Sequence, residues 1–254
     1  MSRKTNQKNP DDVLREQLAY LKLPFIQDHF QDLAQQAGEK QWSHLDFLCR
    51  LLEGETAQRK QRATQRRVQQ ARFPVTKTLE QFDFTWPTKI NRPQVQNLFR
   101  LKFIEDRANA ILVGGVGLGK SHLSIALGYA ACLAGYRVLF TTAVDTINNL
   151  CAAHQGGRFI PEMKKYLKPD VLVMDELGYL PIDKQGADLL FQIISKRYEH
   201  GALVLTTNKA FKQWPSIFNN DSTLTSAILD RLLHHAETII IQGKSYRMKD
   251  RIDP

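Results

Sequence analysis

Gly114-Gly115-Val116-Gly117-Leu118-Gly119-Lys120-Ser121 places a glycine, four residues and then Gly-Lys-Ser directly after the apolar run Ile111-Leu112-Val113. Behind it, Leu123, Ala126 and Leu127 fall on one helical face. Spacing and context together are those of a P-loop between a strand and a helix. Glycines let backbone N–H groups converge on phosphate oxygens, and the helix N-terminus adds partial positive charge. In that frame Lys120 reaches the β- and γ-phosphates of a nucleotide, the Ser121 hydroxyl holds Mg²⁺, and His122 borders the cradle.

Outward from the loop, the chain alternates apolar runs with helical stretches. The runs are Ile111–Val113, Val138–Phe140, Val171–Met174, Leu203–Leu205 and Ile239–Ile241, and Ala187, Leu190, Phe191, Ile194 and Tyr198 make the clearest helical face. Five buried strands with crossover helices predict an α/β domain with a parallel sheet covered on both sides. Two strand ends carry chemistry. Val171-Leu172-Val173-Met174-Asp175-Glu176 puts two acids after four apolar residues, so Asp175 suits a Mg²⁺ ligand and Glu176 a general base for an attacking water. In Leu203-Val204-Leu205-Thr206-Thr207-Asn208 the terminal amide suits a residue that senses the γ-phosphate, although Asn also favours an ordinary turn. Arg231, in Ile228-Leu229-Asp230-Arg231-Leu232-Leu233, reads by itself first as a partner of Asp230 or a surface arginine.

The segment before residue 76 has a different texture. Leu14, Leu18 and Leu21, then Ile26, Phe30 and Leu33, then Trp42, Leu45, Cys49 and Leu52 recur at helical spacing, interrupted by Pro24 and Gly38. They predict a small all-helical domain over residues 1–75 with these faces packed inward, ahead of a second domain over 76–254. Arg59, Lys60, Arg62, Arg66, Arg67 and Arg72 lie within fourteen residues that contain no acid. The first five span about 160° of a helix face, a pattern as compatible with a solvated face as with contacts to a phosphate backbone. Residues 73–107 read as a connection in which Phe82, Phe84 and Trp86 pack on the core or near a nucleotide base.

The formal net charge of +9 suggests an acidic partner, most often nucleic acid, or an anionic membrane surface, and composition alone does not choose between them. No apolar run is long enough to span a membrane, and Met1–Pro10 lacks the apolar stretch of a secretory signal. Cys49, Cys132 and Cys151 have no metal-ligand spacing and read as reduced thiols of a cytoplasmic protein.

Taken in order, Gly-Gly-Val-Gly-Leu-Gly-Lys-Ser-His-Leu, Met-Asp-Glu-Leu-Gly-Tyr, Lys-Arg-Tyr-Glu, Leu-Thr-Thr-Asn and Asp-Arg-Leu-Leu-His-His resemble the AAA+ ATPases. The nearest likeness is to the IstB-like helper ATPases of insertion-sequence transposition, which are related to DnaC-type helicase loaders. The resemblance implies roles for Lys120 and Ser121 in Walker A, for Asp175 and Glu176 in Walker B, and for Asn208 as sensor. It also implies that Arg231 is an arginine finger acting in a neighbouring subunit, hence a homo-oligomer with ATP sites at its interfaces. Implied partners are duplex DNA, bound with little sequence preference, and a cognate transposase, with hydrolysis resetting the complex. Lys164 and Lys165 join the basic helix as candidate DNA contacts. The dozen residues from Gly243 are too few for the helical lid usual in AAA+ proteins, and Arg247 is a candidate to replace part of it. The rival readings are a replicative helicase loader, a small-molecule P-loop kinase and a DNA-packaging or structural binder that uses ATP only for assembly.

Overall fold

The computed structural model describes residues 9–251. The Met1–Pro10 reading rests mainly on residues outside that range, and so in part does the expectation of no lid. The chain divides into two compact units between Gln65 and Arg66, earlier than the change of composition near residue 75 suggests.

In the first unit, α1 (Pro10–Tyr20) and α2 (Pro24–Glu39) precede α3 (His44–Ala71), which runs on into the second unit. Each of the first two helices opens on proline, whose missing N–H costs nothing in the first turn. The core joins Leu18, Ile26, Phe30 and Leu51. The stripe Leu45, Cys49 and Leu52, expected to face inward, is exposed. Phe47 and Leu51 take its place, because α3 turns Glu55 toward α2. Glu55 is only 3% exposed, and its Oε2 accepts from the backbone N–H of Phe25 at 2.9 Å, satisfying an otherwise orphaned donor of the first turn. α2 continues through Gly38 rather than stopping there.

The second unit contains a five-stranded parallel sheet in the order β2-β3-β4-β1-β5. Its strands are β1 (Asn109–Gly114), β2 (Val138–Thr142), β3 (Val171–Leu177), β4 (Ala202–Thr207) and β5 (Ala236–Ile241). All five coincide with the apolar runs. Side chains alternate between faces. Val171, Val173 and Leu112 pack with α6 (Lys120–Leu133), α4 (Arg92–Leu98) and α5 (Lys102–Glu105). Leu172, Met174 and Ile111 pack with α7 (Ala143–Gln155), α8 (Phe159–Leu167), α9 (Lys184–Arg197) and α10 (Ser222–His234). The supposed connection 73–107 holds α4 and α5; Asn91 caps α4 by accepting from Gln94 N, and Pro93 sits in its first turn. Phe73, Phe82 and Phe84 pack on the core around α6.

Arg197, the arginine of Lys-Arg-Tyr-Glu, is 3% exposed. Its guanidinium donates to the carbonyls of Tyr166, Pro169 and Ala202 at 2.9, 3.0 and 2.7 Å, tying the segment before β3 to the start of β4. Burial pushes its pKa down to about 10, so it remains charged at neutral pH. Among the described residues no helix is long and apolar enough to cross a membrane.

Candidate nucleotide site

β4 lies between β1 and β3, so the ends of the three strands stand side by side: Val113 pairs with Thr207, and Thr207 with Leu177. The P-loop, the acid pair and Asn208 therefore meet at the carboxyl edge of the sheet, where open α/β sheets bind ligands. The loop's glycines are used as glycines. Gly117 and Gly119 have φ of +74° and +84°. A Cβ on Gly119 would sit 2.5 Å from the Phe82 ring, and one on Gly117 would strike the Ser245 hydroxyl. Leu118 is buried in the core, whereas Gly115 and Val116 are exposed.

Lys120 is 4% exposed, and its Nζ donates to Gly115 O at 2.6 Å. Burial lowers its pKa; Asp175 and Glu176 oppose the shift, and Arg247 adds to it. A triphosphate would restore the favourable charge. His122, in the first turn of α6, donates from Nε2 to Thr78 O at 2.9 Å and meets Phe82 edge-on at 5.5 Å. Burial lowers its pKa, against the opposing effect of that hydrogen bond. The cleft over the loop has a volume of about 460 Å³ and is bounded by Phe82, Trp86, Tyr179, Tyr246 and Arg247. The segment after β5 is fastened there: Tyr246 N donates to Gly117 O at 2.8 Å, and Trp86 Nε1 to Lys244 O at 2.9 Å.

Ser121 Oγ donates to Asp175 Oδ1 at 3.1 Å. This pair of hard oxygen donors fits Mg²⁺, which binds through carboxylates and phosphate oxygens. Asp175 Oδ1 also accepts from Thr206 Oγ1 at 2.5 Å, and Thr206 Oγ1 accepts from Glu176 N at 3.0 Å. Thr206 is fully buried. It connects both acids to β4, a role hidden in the sequence because a threonine in a strand reads as an ordinary β-former. Opposite it the pairing of β3 with β4 slips between Met174 and Leu177, and Glu176 takes φ of +63°. That bulge carries Glu176 outward while Asp175 stays buried. Among the described residues Asn208 Oδ1 is buried without a hydrogen-bond partner.

Arg231 stands apart from these residues. On α10 its Nη1 donates to Ala227 O at 2.9 Å, and its guanidinium lies over the Phe191 ring, 5.1 Å from the centroid. The basic residues also divide. Arg59 pairs with Glu55 at 2.9 Å, the acid one turn before the basic run. Arg67 is half-buried and donates to Cys132 O at 2.9 Å. Lys165 pairs with Glu162 at 2.8 Å. Lys60, Arg62, Arg66 and Lys164 are exposed.

The chain is 43% identical over 234 residues to an ATP-binding protein of insertion sequence IS21 from Pseudomonas aeruginosa, covering 92% of this chain and 88% of that one. A counterpart from insertion sequence IS5376 of Geobacillus stearothermophilus is 38% identical over 91% of this chain and 92% of its own. Among solved structures, a DnaC helicase loader shares the fold with a TM-score of 0.53 and 22% identity, over 65% of this chain and 96% of that one. A replication initiator DnaA bound to AMPPCP and single-stranded DNA aligns with a TM-score of 0.54 and 22% identity, over 68% of this chain and 52% of its own. Residues 16–253 match the model of the IstB-like ATP binding proteins, and the chain belongs to that family.

Proposed function

We propose that this P-loop ATPase is an ATP-driven switch on DNA: it assembles on duplex DNA with nucleotide between subunits, presents that DNA to the transposase of its insertion sequence, and resets on hydrolysis. The observation that carries this reading is a cis site joined by hydrogen bonds from Ser121 through Asp175 and Thr206 to Glu176, with Arg231 held outside the cleft on α10. The cleft holds a base and a phosphate lysine with Arg247 at its rim, while Arg231 lies outside it, so the site is half of a phosphoryl-transfer centre that an arginine from a neighbour can complete.

In this reading the triphosphate takes the place of Gly115 O at Lys120 Nζ, and the first-turn N–H groups of α6 bind its oxygens. Ser121 and Asp175 would hold Mg²⁺, which offsets charge on the β- and γ-phosphates. Glu176 accepts the proton of the attacking water as that oxygen bonds to the γ-phosphorus. Asn208 Oδ1 orients the same water. The neighbour's Arg231 stabilises the charge shed toward the leaving diphosphate. ATP drives assembly only to the extent that it binds the assembled state more tightly than the free one. Lys60, Arg62, Arg66 and Lys164 are exposed basic residues that meet DNA through contacts that weaken steeply with salt.

The test is to mix the full chain with duplex DNA and a non-hydrolysable ATP analogue and measure the size of the complex. Nucleotide-dependent oligomers that the Arg62→Glu/Arg66→Glu variant fails to form on DNA, with basal ATPase intact, are expected. Monomers under all conditions would defeat the proposal. The likeness to a DnaC helicase loader supports a second reading, loading of a replicative helicase. Capture of the helicase rather than the transposase by the tagged protein would favour it.

A further inference from the structure

Glu199, His234 and His235 converge where α9 and α10 end, away from the nucleotide cleft. One ligand atom from each lies within 4.8 Å of the other two. Tyr198 caps α9, Glu199 follows it, His234 ends α10, and His235 leads into β5. We propose that these three side chains form a surface site for a divalent transition-metal ion of the zinc class, clamping the end of α9 to the end of α10.

Two imidazoles and one carboxylate suit zinc and its first-row neighbours rather than Mg²⁺ or Ca²⁺, which prefer all-oxygen shells. With metal–ligand bonds of about 2.0–2.1 Å, tetrahedral donors stand about 3.3 Å apart. His235 Nε2 and Glu199 Oε1 are now 4.0 Å apart, and both side chains are more than half exposed. Rotation of surface side chains closes such a gap without moving the backbone. One imidazole already has the support typical of a metal ligand: Tyr198 Oη lies 2.7 Å from His234 Nδ1. In the tautomer that donates Nδ1–H to that oxygen, His234 Nε2 presents its lone pair outward, and such outer partners fix ligand orientation. The backbone supports the carboxylate as well: Glu199 is held at φ of +59°, and Arg107 Nη1 donates to its carbonyl at 2.9 Å.

The location gives the site a consequence. Arg231 precedes His234 by one turn of α10 and rests on Phe191 of α9. A bound ion would fix the two helices that present it, so zinc would alter ATP turnover in the oligomer; only this consequence rests on the proposed role of Arg231.

The experiment is calorimetric titration of ZnCl₂ into the metal-stripped full chain without nucleotide, paired with Co²⁺ absorption spectroscopy. About one equivalent of Zn²⁺ should bind, Co²⁺ should give visible bands from nitrogen–oxygen ligation, and excess Mg²⁺ should not displace either. His235→Ala and Glu199→Gln should weaken binding at least about tenfold, and Tyr198→Phe should do so by about tenfold through the lost support of His234. Absence of zinc uptake overturns the site. So does equal uptake by wild type and the His234→Ala/His235→Ala variant, which would place the metal on a thiol such as exposed Cys49. If Arg231 plays no part across subunits, stoichiometry and variant effects stay as stated and only the zinc effect on turnover disappears.

Discussion

Replacing Thr206 with valine removes one oxygen and tests whether β4 organises both acids. The side chain is fully buried and the replacement has nearly the same shape, so little packing is lost. Two hydrogen bonds go. The bond to the Asp175 carboxylate is charge-assisted and contributes about 1.5–3 kcal/mol. Loss of the acceptor for Glu176 N–H costs about 1–3 kcal/mol if that group finds no other partner. Ser121 still donates to Asp175, so the carboxylate is not stranded, and a net loss of about 2–3 kcal/mol is expected. Turnover should fall further than stability suggests, because Glu176 is released from the bulge that aims it; a general base contributes about 10²–10⁴-fold, and misplacing it should forfeit at least about tenfold of that. Urea unfolding gives the first quantity. Steady-state ATPase, with nucleotide affinity measured separately, gives the second. Thr206→Ser keeps the hydroxyl and should retain most activity while losing about 1 kcal/mol for the methyl group. If valine and serine are equally impaired, packing rather than the hydroxyl matters at this position; if valine turns over like wild type, Thr206 does not position Glu176.

Other outcomes follow from the same geometry. Glu176→Gln should bind ATP, abolish turnover and leave oligomers that persist after ATP is added; hydrolysis at the wild-type rate would remove Glu176 from the base role. The His122 pKa is lowered in the fold, so the unfolded chain binds protons more readily as pH drops through about 6.5 and stability should decline there. His122→Gln should flatten that part of the stability–pH curve, and an unchanged slope would assign it to other groups. Lys120 is likewise depressed, so ATP binding in the alkaline range below 10.5 should take up a proton, seen as a buffer-dependent binding enthalpy that Lys120→Met abolishes. Arg197→Ala, which leaves several buried carbonyls without their donor, should cost about 3–5 kcal/mol, and Arg197→Lys should recover only part of it because an ammonium lacks the planar fork.

Much of this protein is local in its chain and could be read there. The five strands were legible because each is a short apolar run, and the phosphate loop because its glycines, lysine and serine are contiguous. Asp175, Glu176 and Asn208 were legible as polar residues ending buried strands. Other features depend on partners distant in sequence. The inward face of α3 could not be found from periodicity, since Leu45, Cys49 and Leu52 are as apolar as the stripe that packs; the reach of Glu55 to the start of α2 chose between them. The basic run looked uniform, yet Glu55 and the Cys132 carbonyl each occupy one of its arginines. Thr206 and Arg197 gained their roles only when β4 settled against β3. The sequence by itself determined where strands, loop and acids lie, because hydrophobic period and glycine spacing act over a few residues. Only the tertiary structure decided which side chains share a hydrogen bond, because strand order places β4 between the P-loop and the acid pair, and no local pattern encodes that order.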